Sequence, residues 1–263
     1  MNFLKDRFVG NGRLTVIGTA FSIVNMRSAV EHILGWGRQR NSIGRFVCVS
    51  GVHGVIEAEH DESFRSILNN ADLNVPDGVP IVWIGKLCGF DKIGRVFGPD
   101  LMLEVCKESA MSGCSHFFYG GNEGVAAELA GRMERCYPGM KIAGTYCPPF
   151  RELSETEQSA LVDIINKTSP DILWVGLSTP KQERWISQMK GKLKVGVMLG
   201  VGAAFDYNTG RLQRAPGWMQ VAGLEWLYRL IQEPRRLYLR YLINNPKFLV
   251  LVAGQMLGIK KSF

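Results

Sequence analysis

The chain has 263 residues, of which 46% are apolar and 21% charged, with a mean hydropathy of +0.01. That composition belongs to a globular protein with a sizeable core and excludes a disordered or fibrous chain. The formal charge of +7 is unevenly placed: residues 1–210 hold 22 basic and 22 acidic side chains, while residues 211–263 hold nine basic ones against Glu225 and Glu233. An anionic partner (nucleic acid, a membrane surface or a phosphorylated ligand) therefore concerns the last fifth of the chain.

The opening residues MNFLKDRFVGNGRL show no basic stretch followed by an apolar one, so no secretory leader is expected. Short β-branched or aromatic runs predict strands at 13–18, 45–50, 72–75, 116–120, 141–146, 171–177 and 194–200. Between them, amphipathic spacing predicts helices at 25–38, 52–69, 99–112, 122–136, 154–168 and 180–190, with several more after 216. Ser154 with Glu157 three positions on is a capping-box pattern. Continuously apolar strands alternating with helices imply a mainly parallel sheet covered on both faces, an α/β Rossmann-like fold.

From about residue 211 the strand signals stop, and Trp, Leu, Tyr and Arg interleave at helical spacing. Pro216, Pro234 and Pro246 divide this region into roughly three short helices. The expected organisation is an α/β body, 1–210, and a basic, aromatic-rich helical appendage, 211–263. The longest apolar run there, FLVLVAGQMLGI, is too short to cross a bilayer. Six cysteines are scattered without a Cys-x-x-Cys pair, as expected for reduced thiols in the cytosol.

Ligands of open α/β sheets bind beyond the carboxyl ends of the strands, and several of these ends are chemically unusual. Ser50-Gly51-Val52-His53 permits close backbone approach to a ligand, but taken alone it reads first as a turn. Asp77, in Pro76-Asp77-Gly78, is either a turn residue or a general base with a pKa raised by its apolar flanks. Gly120, Gly121 and Asn122 stand where a strand runs into a helix whose free N–H groups suit phosphate or ribose. Lys181 and Gln182 open a further helix and suit a sugar or pyrophosphate. Gly200 and Gly202 allow close approach, and Asp206 either bonds a base or sugar hydroxyl or caps a helix.

The G-x-G-x-x-G fingerprint and the Walker A motif are absent, and the four histidines have no ligand spacing, so neither a nicotinamide cofactor nor a metal is expected. In order, ADLNVPDGVPIVW, RVFGPDLM, FFYGGNEG, VGLSTPKQERW, MLGVGAAFDYNTG, RAPGWMQVAGLEWLYRLIQEPRRL and RYLINNPKF resemble the WecG/TagA/CpsF family of bacterial glycosyltransferases across about residues 14–248.

The resemblance implies an inverting, UDP-sugar-dependent transferase of N-acetylmannosamine, glucose or a related sugar. Its acceptor would be a polyprenyl-diphosphate-linked saccharide at the cytoplasmic face of the plasma membrane, in surface-polysaccharide assembly. It implies Asp77 as general base and Arg229, Arg236 and Arg240 as the groups facing the leaving diphosphate. Gln182, Asp206, Gly120 and Gly121 match positions that line the donor pocket. One departure is Gly51, where the family usually carries an Asn thought to touch the donor sugar; Ser50 or a water would take over that contact. The resemblance also implies no cofactor, self-association in solution and peripheral attachment to anionic lipid through the appendage. A nicotinamide-dependent oxidoreductase is the alternative. A nucleic-acid-binding module and a glycoside hydrolase rank lower, since the body is charge-balanced and only one carboxylate is well placed.

Overall fold

The computed structural model describes residues 3–39 and 44–259; Lys260 and Lys261 lie outside the described residues. Helix α1 (Phe3–Phe8) leads into a three-stranded antiparallel sheet of β1 (Val9–Gly10), β2 (Arg13–Val16) and β3 (Thr19–Phe21). The strand expected at 13–18 is thus β2, and it ends at Val16. Ile17 and Gly18 follow with φ of 50° and 76°, the left-handed pair that a two-residue hairpin requires.

The main sheet has six strands, all parallel: β4 (Arg45–Ser50), β5 (Leu73–Pro76), β6 (Ser115–Gly120), β7 (Lys141–Tyr146), β8 (Ile172–Gly176) and β9 (Val197–Gly200). Their order is β5-β4-β9-β8-β6-β7. Each of these strands was expected within two or three residues. Phe46, Cys48, Leu173, Val175 and Met198 point to one face, where they pack with Phe64, Leu161 and Ile186. Val47, Trp174, Val197 and Leu199 point to the other, against Ile33, Leu101, Val105 and Leu129. Burial on both faces is why these strands read as unbroken apolar runs.

Helices α2 (Met26–Arg38), α6 (Gly98–Ser112), α7 (Val125–Cys136), α8 (Glu155–Thr168) and α9 (Lys181–Met189) follow expectation, and the capping box of α8 is present on both sides. The helix expected at 52–69 is two, α3 (Val52–His60) and α4 (Glu62–Asn69). Asp61 between them is extended, and its carboxylate accepts the Phe64 N–H at 2.9 Å, so a cap overrides the continuous period. The apolar run after Gly78 forms α5 (Val79–Leu87), for which no helix was expected; it is too uniformly apolar to show a period.

After α10 (Ala204–Thr209) come α11 (Gly217–Val221), α12 (Glu225–Gln232) and α13 (Pro234–Leu257). Pro216 and Pro234 stand at helix starts as expected. Pro246 does not divide the region: α13 runs through it for 24 residues. Phe248 and Val252 of α13 join a third core with Phe8, Leu14, Ile81 and Ile84. Gln255 fastens the helix to the hairpin by accepting from Ile17 N–H at 2.9 Å and donating to the Thr15 carbonyl at 2.9 Å. No helix of the described residues is long and apolar enough to cross a membrane. The six cysteines are unpaired.

Candidate active site

A cavity of about 580 Å³ opens beyond the carboxyl ends of β5, β4, β9 and β8, with α12 and α13 as its roof. Helices α3, α5, α9 and α10, which follow those four strands, begin beside it, and so does α6 at Gly98. None of the five carries a side-chain N-cap. Away from the cavity α2, α4 and α8 are capped by Asn25, Asp61 and Ser154, while α7 starts uncapped at Gly124. Free helix N-termini turned into one cavity make a field suited to an anion.

Asp77 sits on the floor of the cavity. Its N–H is held by the Ser50 carbonyl at 2.9 Å, and its own carbonyl accepts from Arg95 Nε at 2.8 Å, so the backbone is fixed on both sides. Burial raises the carboxyl pKa, against the pull of Arg95 and of a Gly98 N–H bond, and Glu225 pushes it further up. Oδ1 is buried without a hydrogen-bond partner. A turn residue would spend that oxygen on local backbone; here it makes no hydrogen bond.

Arg229, Arg236 and Arg240 line the roof. Glu233 accepts from Arg229 at 3.4 Å and from Arg236 at 2.5 Å, so one carboxylate serves two guanidiniums. Arg240 makes no ion pair among the described residues, and its buried Nε has no hydrogen-bond partner. Its pKa falls to about 10, chiefly through burial, with Arg229 and Arg236 adding repulsion. With Glu233 shared by Arg229 and Arg236 and no ion pair to Arg240, the three guanidiniums concentrate positive charge at the roof. Glu225, at the start of α12, pairs with Arg95 and lies 3.7 Å from Arg214, which docks the roof onto the body beside Asp77.

A polar network stiffens the opposite wall. Gln182 Oε1 accepts the Gly202 N–H at 2.8 Å while Nε2 donates to Glu183 Oε1 at 2.9 Å. Thr179 Oγ1 donates to the same Glu183 oxygen at 2.8 Å. His53 donates to the Thr179 carbonyl, and Asn244 of α13 lies 3.0 Å from its Nδ1. Burial lowers the His53 pKa to about 3, so the ring is neutral and Nδ1 accepts from Asn244.

The cavity thus brings together Ser50, Gly51, Asp77, Gln182, Gly202, Arg229, Arg236 and Arg240. Gly120, Gly121, Asn122, Lys181 and Asp206 do not line it. Gly120 and Gly121 pack against Gly176 and Val125, Asn122 and Lys181 are exposed, and Asp206 is half-buried near Arg236 and Arg211. Sequence reasoning passed over Arg95, Glu225, Tyr207, Tyr241 and Asn244 as site residues, and it favoured a turn at His53. No local pattern marks them; only packing places them beside Asp77.

Among the described residues no group of three or more His, Cys, Asp or Glu is arranged to hold a metal ion. Comparison with known proteins matches residues 14–262 to the model of the glycosyl transferase WecG/TagA/CpsF family. An N-acetylglucosaminyldiphosphoundecaprenol N-acetyl-beta-D-mannosaminyltransferase of Bacillus spizizenii is 31% identical over 227 residues, 86% of this chain and 85% of the relative. A protein of the same name from Bacillus subtilis is 27% identical over 221 residues, 84% and 83% of the two chains.

Proposed function

Since the chain belongs to the WecG/TagA/CpsF family of glycosyl transferases, we propose that it moves a sugar from a UDP-sugar to a polyprenyl-diphosphate-linked saccharide, with inversion and without a metal ion. The relatives' names point to N-acetylmannosamine as donor sugar and N-acetylglucosaminyl diphosphoundecaprenol as acceptor. Glucose or a related sugar stays within the proposal because of Gly51. A Cβ there would stand 3.8 Å from Asp77 Oδ2, so the missing side chain leaves open space beside the carboxylate.

The observation that carries the reading is Asp77: a carboxylate with an unpartnered oxygen in the same cavity as three guanidiniums, two of which share Glu233 while the third makes no ion pair among the described residues. In this mechanism Asp77 takes the proton of the acceptor hydroxyl as that oxygen attacks the anomeric carbon from the side opposite UDP. A raised pKa makes it a stronger base than an exposed carboxylate. Arg229, Arg236 and Arg240, with the free helix N-termini, take up the charge that develops on the departing diphosphate. Ser50, Gly51, Gln182 and Gly202 are the proposed donor contacts in the cavity. Gly120, Gly121, Asn122, Lys181 and Asp206 would bear only on parts of a donor that reach outside it.

We further propose that residues 1–210 act as the catalytic body and that 211–263 complete the site and attach it to the cytoplasmic face of the membrane. Trp218, Val221, Leu239, Leu242 and Ile243 are exposed apolar residues of that region, with Arg235 and Arg236 exposed beside them. The test is acceptor-dependent release of UDP from a panel of UDP-sugars, with detergent-solubilised lipid-diphosphate saccharides and EDTA present, and Asp77→Asn alongside. Release that survives EDTA and collapses in the variant is the expected result. Wild-type turnover by Asp77→Asn would return Pro76-Asp77-Gly78 to a plain turn.

A further inference from the structure

The cavity does not end at the arginines. Residues of α13 that line it recur at helical spacing, and their character changes along the helix. Arg236, Arg240 and Tyr241 come first, then Asn244 and Asn245, then Phe248, Leu249, Val252 and Met256. The facing stripe of α5, from Val79 through Trp83 and Ile84 to Leu87, is apolar throughout. None of the lining residues on α5, nor on α13 from Phe248 onward, is polar. From Phe248 to Met256 the helix rises roughly 12 Å, so a charged chamber is continuous with an apolar trough of about that length.

The trough is not fully covered. Trp83, Leu87 and Leu249 each expose more than half of their surface, while Ile84, Phe248 and Val252 form its buried floor. Leu257 and Ile259, exposed at the end of α13, extend the apolar surface past its outlet. A donor nucleotide and a hydrophilic sugar have no use for such walls. A molecule with an anionic head and a hydrocarbon tail matches both halves at once, in the order in which they occur along α13.

We propose that the trough between α5 and α13 binds the first isoprene units of the acceptor's polyprenyl chain, with the acceptor's own diphosphate at its inner end near Arg240, which then stands between that diphosphate and the one that departs with UDP beside Arg229 and Arg236. This rests on the proposed transferase reading for the identity of the acceptor, and it deepens that reading by placing the lipid inside the protein rather than only in the bilayer. Arg240, which lines the cavity and makes no ion pair among the described residues, supplies the charge complementarity at the junction. The tail then leaves past Leu87 and Leu249 toward the apolar end of α13. Acceptor selection therefore depends on tail chemistry as well as on the sugar.

The test needs no turnover. Isothermal titration of the full chain with monomeric farnesyl diphosphate, inorganic diphosphate and dodecylphosphocholine below its micelle concentration compares head, tail and both. Farnesyl diphosphate is expected to bind at least about tenfold more tightly than inorganic diphosphate, from burial of the prenyl carbons. Leu87→Gln combined with Leu249→Gln, both at exposed positions, is expected to erase that gain while affinity for inorganic diphosphate moves less than about twofold. Arg240→Ala should weaken both diphosphates. Equal affinities for the two diphosphates, a gain that survives in the double variant, or equally tight dodecylphosphocholine would overturn the proposal, the last by assigning the trough to ordinary bilayer lipid. Farnesyl diphosphate bound as expected by a protein that transfers no sugar would leave the trough standing and remove the transferase reading.

Discussion

The carboxyl edge of the six-stranded sheet has two halves that look alike in sequence and differ in structure. On one half β5, β4, β9 and β8 end in Asp77, Gly51, Gly202 and the Ser178-Thr179 loop, all facing the cavity. On the other half β6 ends in Gly120-Gly121, just as glycine-rich and just as promising on paper. There the glycines meet a packing demand: a Cβ on Gly120, at φ 128°, would lie 2.5 Å from the Gly176 carbonyl oxygen, and one on Gly121 would lie 3.0 Å from Val125. Gly51 meets nothing closer than 3.7 Å and has an ordinary extended backbone. A glycine at a strand end signals either close packing or open space, and what distinguishes them is the roof that α12 and α13 place over only one half.

The largest effect that would break this contrast is at Asp77. Asp77→Asn is expected to lower acceptor-dependent UDP release by about 10²–10⁴-fold, the usual worth of a positioned base. The same change should stabilise the fold at neutral pH. Because burial raises the Asp77 pKa, ionisation costs stability as pH climbs from the ordinary carboxylate value of 3.8 through the raised one, and that cost persists above it. Asn removes the cost, so a higher melting temperature than wild type is expected at pH 7, with the gain shrinking to nothing below pH 3.8. A variant less stable than wild type at pH 7 would show that Asp77 is instead held by its partners.

Next in size is the roof. Arg240→Ala is expected to lower turnover by about 10²–10³-fold, and Arg240→Lys to recover only part of it, because an ammonium cannot bind two phosphate oxygens in a plane. Full recovery with Lys would reduce the role of Arg240 to that of a point charge. The two halves of the edge are then compared directly. Gly120→Ala is expected to destabilise by about 3 kcal/mol in denaturant unfolding, through overpacking and backbone strain. Gly51→Ala is expected to change stability by less than about 1 kcal/mol, because an extended backbone accepts a Cβ. Its effect should appear instead as an altered ratio of kcat/KM between UDP-sugars, since the new methyl group narrows the space beside Asp77. Equal destabilisation by the two changes would erase the distinction.

The sequence read well where one physical demand acted alone. A parallel strand buried on both faces must be apolar throughout, and β4, β6, β8 and β9 were legible for that reason. The capping box at Ser154 and the helix starts at Pro216 and Pro234 are local chemistry and held as expected. Competing local signals were harder: the cap at Asp61 split a helix whose apolar period runs on, and α5 hid in a run with no polar face. Pro246 was read as a break because a proline removes a bond, yet a helix packed into the third core through Phe248 and Val252 carries that loss.

The composition, the six strands of the main sheet and the family were determined by the sequence alone, because each follows from local propensity or from motif order along the chain. The site required the tertiary structure. Asp77 and Arg240 are separated by more than half the chain, and nothing near either residue specifies the other. The third core seats α13 against α3, α5 and the N-terminal hairpin, and so it is packing between distant segments that decides which carboxylate oxygen lacks a hydrogen bond, which guanidinium makes no ion pair, and where an apolar trough meets them.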